Sequence, residues 1–372
     1  MTYDIGFLGG GQLARMSIQA ASRMGLTALS LDPAAITPAS LIAPAIQGSL
    51  NDPSAISAVL DCCEFVTLEN EFIPAAAIRQ ALENSRRPVS TVIPGVDALA
   101  TIQDKLAQKQ ALLERGVPTS PGYELIDLKS VDPAEFPVFL KARFGGYDGK
   151  GTRFVRNQEE LAECRHLWGD GGWMVEEFVD FRRELAVMVA ISEQGRIAFP
   201  TMETVQREHV CDLVYPCDAD GSAIAFDAVD AIGGQGLFGV ELFETLDGRL
   251  LVNEIAPRPH NTGHYTLDRG GPSQFEAHIR AVTGMAQVDP VSGSFAVMAN
   301  LLGQIGANDF RAGVRAALEV PGTYVHWYGK AESRPGRKMG HINAVDRIGP
   351  VQDAINRVEE ARRRFYEAWC EG

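Results

Sequence analysis

The chain has 372 residues, 45% of them hydrophobic, and a formal net charge of −14. That length suffices for two or three packed domains. The acidity excludes a general nucleic-acid binder, which needs a basic face, but leaves room for a small anion in a local basic pocket. The start of the chain has no basic segment leading into an apolar stretch and a cleavage site, so a soluble, cytoplasmic protein is expected. An apolar run, Ile5 to Leu8, leads into "GGGQLARM", where Gly9, Gly11 and Ala14 fit G-x-G-x-x-A. About twenty residues on, "ALSLD" ends in Asp32. This is nearly the dinucleotide fingerprint, and on its own it suggests an NAD-dependent oxidoreductase. "DIGFLG", "ALSLD", "FVTLE" and "TVIPG" read as strands, and "QLARMSIQAASRMG" as a helix stopping at Gly25. Their alternation predicts a doubly wound parallel sheet. Cys62 and Cys63 open a set of six cysteines without a C-x-x-C pair, so inert thiols are expected rather than zinc or disulfides.

"DALATIQDKLAQKQALLERG" predicts one long helix, capped by Asp97 and stopped by Gly116 and Pro118. A small α+β unit follows: strand "FPVFLKARF", loop "GGYDGKG", strand "TRFVR", a helix capped by Asn157, and strand "WMVEEFV". Four glycines between Lys141 and Thr152 let backbone N–H groups approach phosphate oxygens, with Lys141 and Lys150 at the ends. The loop is not a P-loop, because Phe144 and Gly151 stand where glycine and Ser/Thr are required. Taken alone it suits a flexible hairpin as well as a phosphate cradle.

The longest apolar run, "LAVMVAI", is too short to span a bilayer. One hairpin is predicted from Arg183 to Gln206, turning at "EQGR", and a second from Leu237 to Ala256, turning at Asp247-Gly248. A two-residue turn there sets Glu241 directly opposite Glu254. Facing carboxylates repel unless a cation bridges them, and rigid oxygen ligands suit Mg²⁺. "APRPHNTGH" then crowds Arg258, His260, Asn261 and His264 beyond that pair, with Arg258 offering a fork for a carboxylate or bicarbonate. "YGKAESRPGRKMGH" gathers Lys330, Arg334, Arg337 and Lys338, either a solvated loop or an anion site. A charged helix, "NRVEEARRRFYEAW", closes the chain. No G-x-S-x-G elbow, H-E-x-x-H helix or internal repeat occurs.

In this order these stretches, with Lys105 and "EEFVDFRRE", resemble the ATP-grasp superfamily and, within it, the N5-carboxyaminoimidazole ribonucleotide synthetases of purine biosynthesis. The resemblance implies an α/β and α+β architecture in three parts. These are an N-terminal doubly wound domain over 1–100, an ATP-grasp domain over 101–295 with a lid at about 118–185, and a C-terminal antiparallel-sheet region over 296–372 that binds the substrate phosphate. It implies ATP, Mg²⁺ and bicarbonate as co-substrate, 5-aminoimidazole ribonucleotide as acceptor, neither NAD nor biotin, and a cytoplasmic homodimer contacting no nucleic acid or membrane. Other ATP-grasp ligases, of the formate-dependent transformylase or biotin carboxylase type, are the nearest alternatives.

Carried over by position, Lys105 and Lys141 would hold ATP phosphates, and Gly145, Gly146, Tyr147, Asp148, Gly149, Lys150 and Gly151 would form the phosphate loop. Glu176, Glu177, Phe178 and Val179 would line the adenine pocket through main-chain groups, with Glu184 on the ribose. Glu241 and Glu254 would ligate Mg²⁺, with Asn253 nearby. Arg258, His260 and Asn261 would face bicarbonate and the ribonucleotide, and Asp148 would contact the aminoimidazole. Gln12, Leu13 and Glu69 would meet the ribonucleotide, whose phosphate Lys330 and Arg337 would grip. Gln206 departs from the pattern, standing near ATP where a histidine is expected. Ala14 replaces a usual glycine, and "VTLENEF" keeps Glu69 and Glu71 in place.

Overall fold

A computed structural model describes residues 2–127, 130–146, 149–167, 172–305 and 309–370. The N-terminal sheet is parallel, as the strand–helix alternation predicts. Its strands are β1 (Tyr3–Leu8), β2 (Ala28–Asp32), β3 (Ala45–Gln47) and β4 (Cys63–Leu68), in the order β3-β2-β1-β4. Helices α1 (Gln12–Arg23) and α2 (Pro53–Cys62) connect β1 to β2 and β3 to β4, and α3 (Ala75–Ser85) follows β4. The expected fourth strand at "TVIPG" is a 3-10 turn over Val89–Thr91, and only Val92 bridges Val66. Pro88 and Pro94 flank it and lack the N–H that a longer ladder needs.

The long helix is two helices, α4 (Val96–Gln103) and α5 (Lys105–Glu114). Gly95, not Asp97, sits at the cap of α4. The break falls at Asp104, which is extended and caps α5, accepting from Leu106 N at 3.1 Å. Its carboxylate also takes Arg143, Nε at 3.0 Å and Nη2 at 2.5 Å. The break makes Lys105 the first residue of a new helix, and the cap together with Arg143, 39 residues away, fixes where that lysine starts.

A small antiparallel sheet follows, with β5 (Gly122–Glu124), β6 (Val138–Ala142), β7 (Thr152–Val155) and β8 (Trp173–Glu177) in the order β5-β8-β6-β7. Helix α6 (Gln158–Glu163) packs on it, capped as expected by Asn157, whose Oδ1 accepts from Glu159 N and Glu160 N at 3.0 Å.

The largest sheet has nine strands: β9 (Phe181–Ser192), β10 (Gly195–Ala198), β11 (Met202–Arg207), β12 (Val210–Pro216), β13 (Gly236–Thr245), β14 (Leu250–Ala256), β15 (Phe295–Leu302), β16 (Thr323–Trp327) and β17 (Lys338–Asp346). Their order is β14-β13-β9-β11-β12-β15-β17-β16, with β10 on β9. The hairpin predicted over 183–206 returns as two strands, β10 and β11, parted by Pro200. Pairing of Leu213 with Ala299 carries the C-terminal strands into the same sheet. Helices α7 (Ser222–Ile232), α8 (Gln274–Val282), α9 (Phe310–Leu318) and α10 (Val351–Cys370) cover it. Ala354, Val358, Ala361, Phe365 and Trp369 bury one stripe of α10 at helical spacing. Ile279 and Val282 of α8 share a core with Ile5, Phe7 and Ile18, tying the two sheets together.

Candidate active site

Glu241 on β13 does lie opposite Glu254 on β14, but by a different route from the one the turn suggests. The loop has three residues: Thr245 N donates to Arg249 O and Gly248 N to Thr245 O, both at 2.9 Å, with Gly248 at φ +82°. Beside it the register is therefore offset, Leu242 facing Val252. One extra residue on β14, Asn253, forms a bulge that brings Glu241 back opposite Glu254.

Glu254 accepts from Lys105 Nζ at 2.5 Å. Burial opposes its charge, yet Lys105 pulls its pKa down to about 2. Burial, then the charges of Glu254 and Glu184, push Glu241 up to about 8. Glu184 lies two residues from Ala186, the β9 partner of Glu241, so the acids share one face of the sheet. Burial raises Glu184 too, against a hydrogen bond from Gln206. The position where a histidine was expected thus places an amide on Glu184. Acidic side chains gathered on one half-buried face fit a divalent cation held by Glu241 and Glu254. Among the described residues no cluster of three or more His, Cys, Asp or Glu could hold a metal. A hard cation here would therefore complete its shell with substrate oxygens and water.

The side chain of Glu176 is occupied in a way the main-chain adenine expectation does not include. Its Oε1 accepts from Lys141 Nζ at 3.0 Å and from Ser120 Oγ at 2.8 Å, and lies 3.4 Å from Lys109 Nζ. Lys109 is buried, and burial lowers it to about 8. Its place on the buried stripe of α5, between Leu106 and Leu112, is the signal that could have found it. Glu177 and Phe178 are exposed, Val179 is half-buried, and Phe178 meets the rings of Phe154 and Phe139 at 5.5 and 6.1 Å. In the Gly-rich loop, Gly145, Gly149 and Gly151 have φ of +74°, +73° and +76°. A Cβ on Gly146 would come within 3.7 Å of Lys105 Cε, so the loop passes close to that lysine. Tyr147 and Asp148 lie outside the described residues.

Arg258 is held by Glu71, which accepts from its Nε and, at 2.8 Å, from its Nη2. His260 donates its backbone N–H to Gln274 Oε1 at 2.9 Å and accepts Gln274 Nε2 at its carbonyl at 2.8 Å. Its ring lies 2.9 Å from Thr262 Oγ1 and 3.6 Å from Glu241 Oε1. Burial, with Arg258 and Lys338 nearby, lowers it to about 3, so it is neutral at physiological pH. Asn261 differs from expectation: it is buried, and its amide is engaged at both ends with Asn300, at 3.0 and 2.6 Å. It therefore braces the segment by joining it to β15.

At the opening loop, Asp32 accepts from Gly10 N and Ala34 N, both at 2.9 Å, so its carboxylate shapes the turn. The start of α1 meets the chain's own anion: Leu13 N donates to Glu69 Oε1 at 3.4 Å. A Cβ on Gly11 would sit 2.2 Å from that oxygen, so a side chain there displaces the Glu69 carboxylate. Gln12 is half-buried at the first position of α1. Lys330 donates to Lys338 O at 2.6 Å, and Arg337 Nη1 donates to Glu332 O at 2.9 Å at the exposed end of the basic turn.

Three family profiles match in sequence order: a ribonucleotide synthetase preATP-grasp domain over 1–103, an ATP-grasp domain over 110–275, and a phosphoribosylaminoimidazole carboxylase C-terminal domain over 296–349. The N5-carboxyaminoimidazole ribonucleotide synthase of Synechococcus elongatus is 39% identical over 385 residues, covering 95% of this chain and 94% of that protein. The chain belongs to the N5-carboxyaminoimidazole ribonucleotide synthase family. The phosphoribosylaminoimidazole carboxylase of Schizosaccharomyces pombe is 38% identical over 362 residues, and there the match spans 92% of this chain but only 64% of the relative. The crystal structure of N5-carboxyaminoimidazole synthase from Aspergillus clavatus, in complex with ADP and 5-aminoimidazole ribonucleotide, matches with a TM-score of 0.86 at 29% identity, over 98% of each chain. Membership of this synthase family replaces the oxidoreductase reading of the first loop, because residues 1–103 carry its preATP-grasp domain. No helix among the described residues is long and apolar enough to cross a membrane.

Proposed function

We propose that this chain joins bicarbonate to the exocyclic amine of 5-aminoimidazole ribonucleotide, with ATP cleaved to ADP and phosphate, in purine biosynthesis. The observation that carries the reading is the facing Glu241–Glu254 pair with Lys105 at 2.5 Å, set in a fold shared with an enzyme crystallised with ADP and this ribonucleotide. A bicarbonate oxygen attacks the γ-phosphorus and ADP leaves, giving carboxyphosphate. The amine then attacks the activated carbon, phosphate leaves and the amine loses a proton. Lys105 and Lys141 neutralise the transferring phosphoryl group, and Glu254 and Glu176 fix where those ammonium groups stand. Glu71 presets the Arg258 fork for an anion, and neutral His260 offers a hydrogen bond without a competing charge. Glu241 and Glu254 would hold Mg²⁺, which supplies further neutralisation of phosphoryl charge. The test is ADP release in bicarbonate buffer with and without 5-aminoimidazole ribonucleotide: stimulation supports the reading, and its absence refutes it.

The acidic pair also predicts a pH dependence. Glu241 is raised from an ordinary 4.5 to about 8, so the folded protein binds more protons than the unfolded chain between those values. That stabilising contribution is complete below 4.5 and is lost as the pH rises through 8. A bound cation displaces the same proton. Stabilisation by MgCl₂ with ADP is therefore expected to be larger at about pH 8.5 than at about pH 6.5, read as the rise in unfolding temperature. Equal rises at both pH values would contradict the assignment of Glu241.

A further inference from the structure

The turn between β11 and β12 is built from residues that suit it poorly. Arg207 pairs with Val210, leaving Glu208 and His209 as a two-residue loop with φ of +50° and +64°. Such a turn favours Asn-Gly, because a side chain in the left-handed region crowds its own backbone. An outlier of this kind persists where the surroundings use it. Here the surroundings belong to the other sheet: a Cβ built on Gly149 would lie 2.6 Å from His209 Cβ, 2.7 Å from Cγ and 3.1 Å from Cδ2. The imidazole thus lies against the backbone of the Gly-rich loop. It also interacts electrostatically with Glu184, whose carboxyl holds Gln206 on the strand before the turn. One exposed side chain of the large sheet therefore stands against the Gly-rich loop of the small sheet at Gly149.

We propose that His209 is a positioning residue for the nucleotide, a latch that seats the Gly-rich loop at Gly149 over the cleft. The left-handed backbone of His209 is what turns its ring toward that loop. The inference rests on the nucleotide site of the proposed function and adds a residue to it.

Replacement by glycine separates positioning from structure, because glycine relieves the backbone and removes only the ring. His209→Gly is expected to weaken ADP binding about tenfold, measured by calorimetry in MgCl₂, while the unfolding temperature stays level or rises by about 2 °C. His209→Asn, which tolerates the left-handed region and keeps a flat polar group, is expected to recover affinity to within about threefold of the wild type. Wild-type ADP affinity in His209→Gly would overturn the proposal. So would a loss of affinity accompanied by a clear fall in unfolding temperature, which marks a merely structural role. ADP affinity reads the latch and ribonucleotide-stimulated ADP release reads the carboxylation, so failure of one is distinct from failure of the other.

Discussion

Glu254→Gln is expected to abolish turnover, lowering ribonucleotide-stimulated ADP release by about a thousandfold or more. The amide keeps the size of the carboxylate and loses its charge, which does two jobs. It fixes Lys105 at 2.5 Å, and it supplies half of the paired oxygen site with Glu241. Glu241 cannot compensate: losing the Glu254 charge eases its ionisation, but burial and Glu184 still raise its pKa, and a single carboxylate is left where two faced the cation. The effect should fall on turnover more than on folding, since Lys105 and Glu254 side chains retain 22% and 42% of their exposure at the cleft. Wild-type rates in this variant would contradict the metal assignment; a matching collapse of the unfolding temperature would make the residue structural.

Glu176→Ala should produce the largest loss of stability, about 3–5 kcal/mol in urea unfolding. The carboxylate stands between two ammonium groups, and the side chains of Glu176 and Lys109 are only 3% and 4% exposed. Burial raises its pKa, but Lys141 and Lys109 outweigh that and hold it ionised. Removing it leaves Lys109 buried with only Thr119 and Ser120 hydroxyls, at 3.2 and 2.7 Å, and frees Lys141 from its anchor. Nucleotide affinity should fall with it. Stability within about 1 kcal/mol of the wild type would show that water reaches these lysines and that the cluster is not a dry one.

The parallel N-terminal sheet, the small Gly-loop sheet and both hairpins were legible because each rests on local signals: alternation, caps and turn residues. Contacts between distant segments were not. The break at Asp104 is masked by a continuous helical pattern, and the Arg143 that also holds its carboxylate lies 39 residues away. Glu71 grips Arg258 across 187 residues, and Gln274 grips His260 from another element. The Glu241–Glu254 pairing shows how such reading succeeds by compensation. The turn is a residue longer than Asp-Gly suggested, and the bulge at Asn253, which no local pattern announces, offsets it. At the opening loop, the glycines report close backbone packing on Glu69, a property of the fold that says nothing of which cofactor binds.

The proposed reaction couples ATP cleavage to carboxylation of the aminoimidazole amine. The most direct measurement is the rate of ADP release by the purified protein with ATP and MgCl₂, omitting in turn bicarbonate and 5-aminoimidazole ribonucleotide. Full rate is expected only with both present, with one ADP formed for each ribonucleotide carboxylated. ADP release that is equally fast without the ribonucleotide, or none when both are supplied, would contradict it.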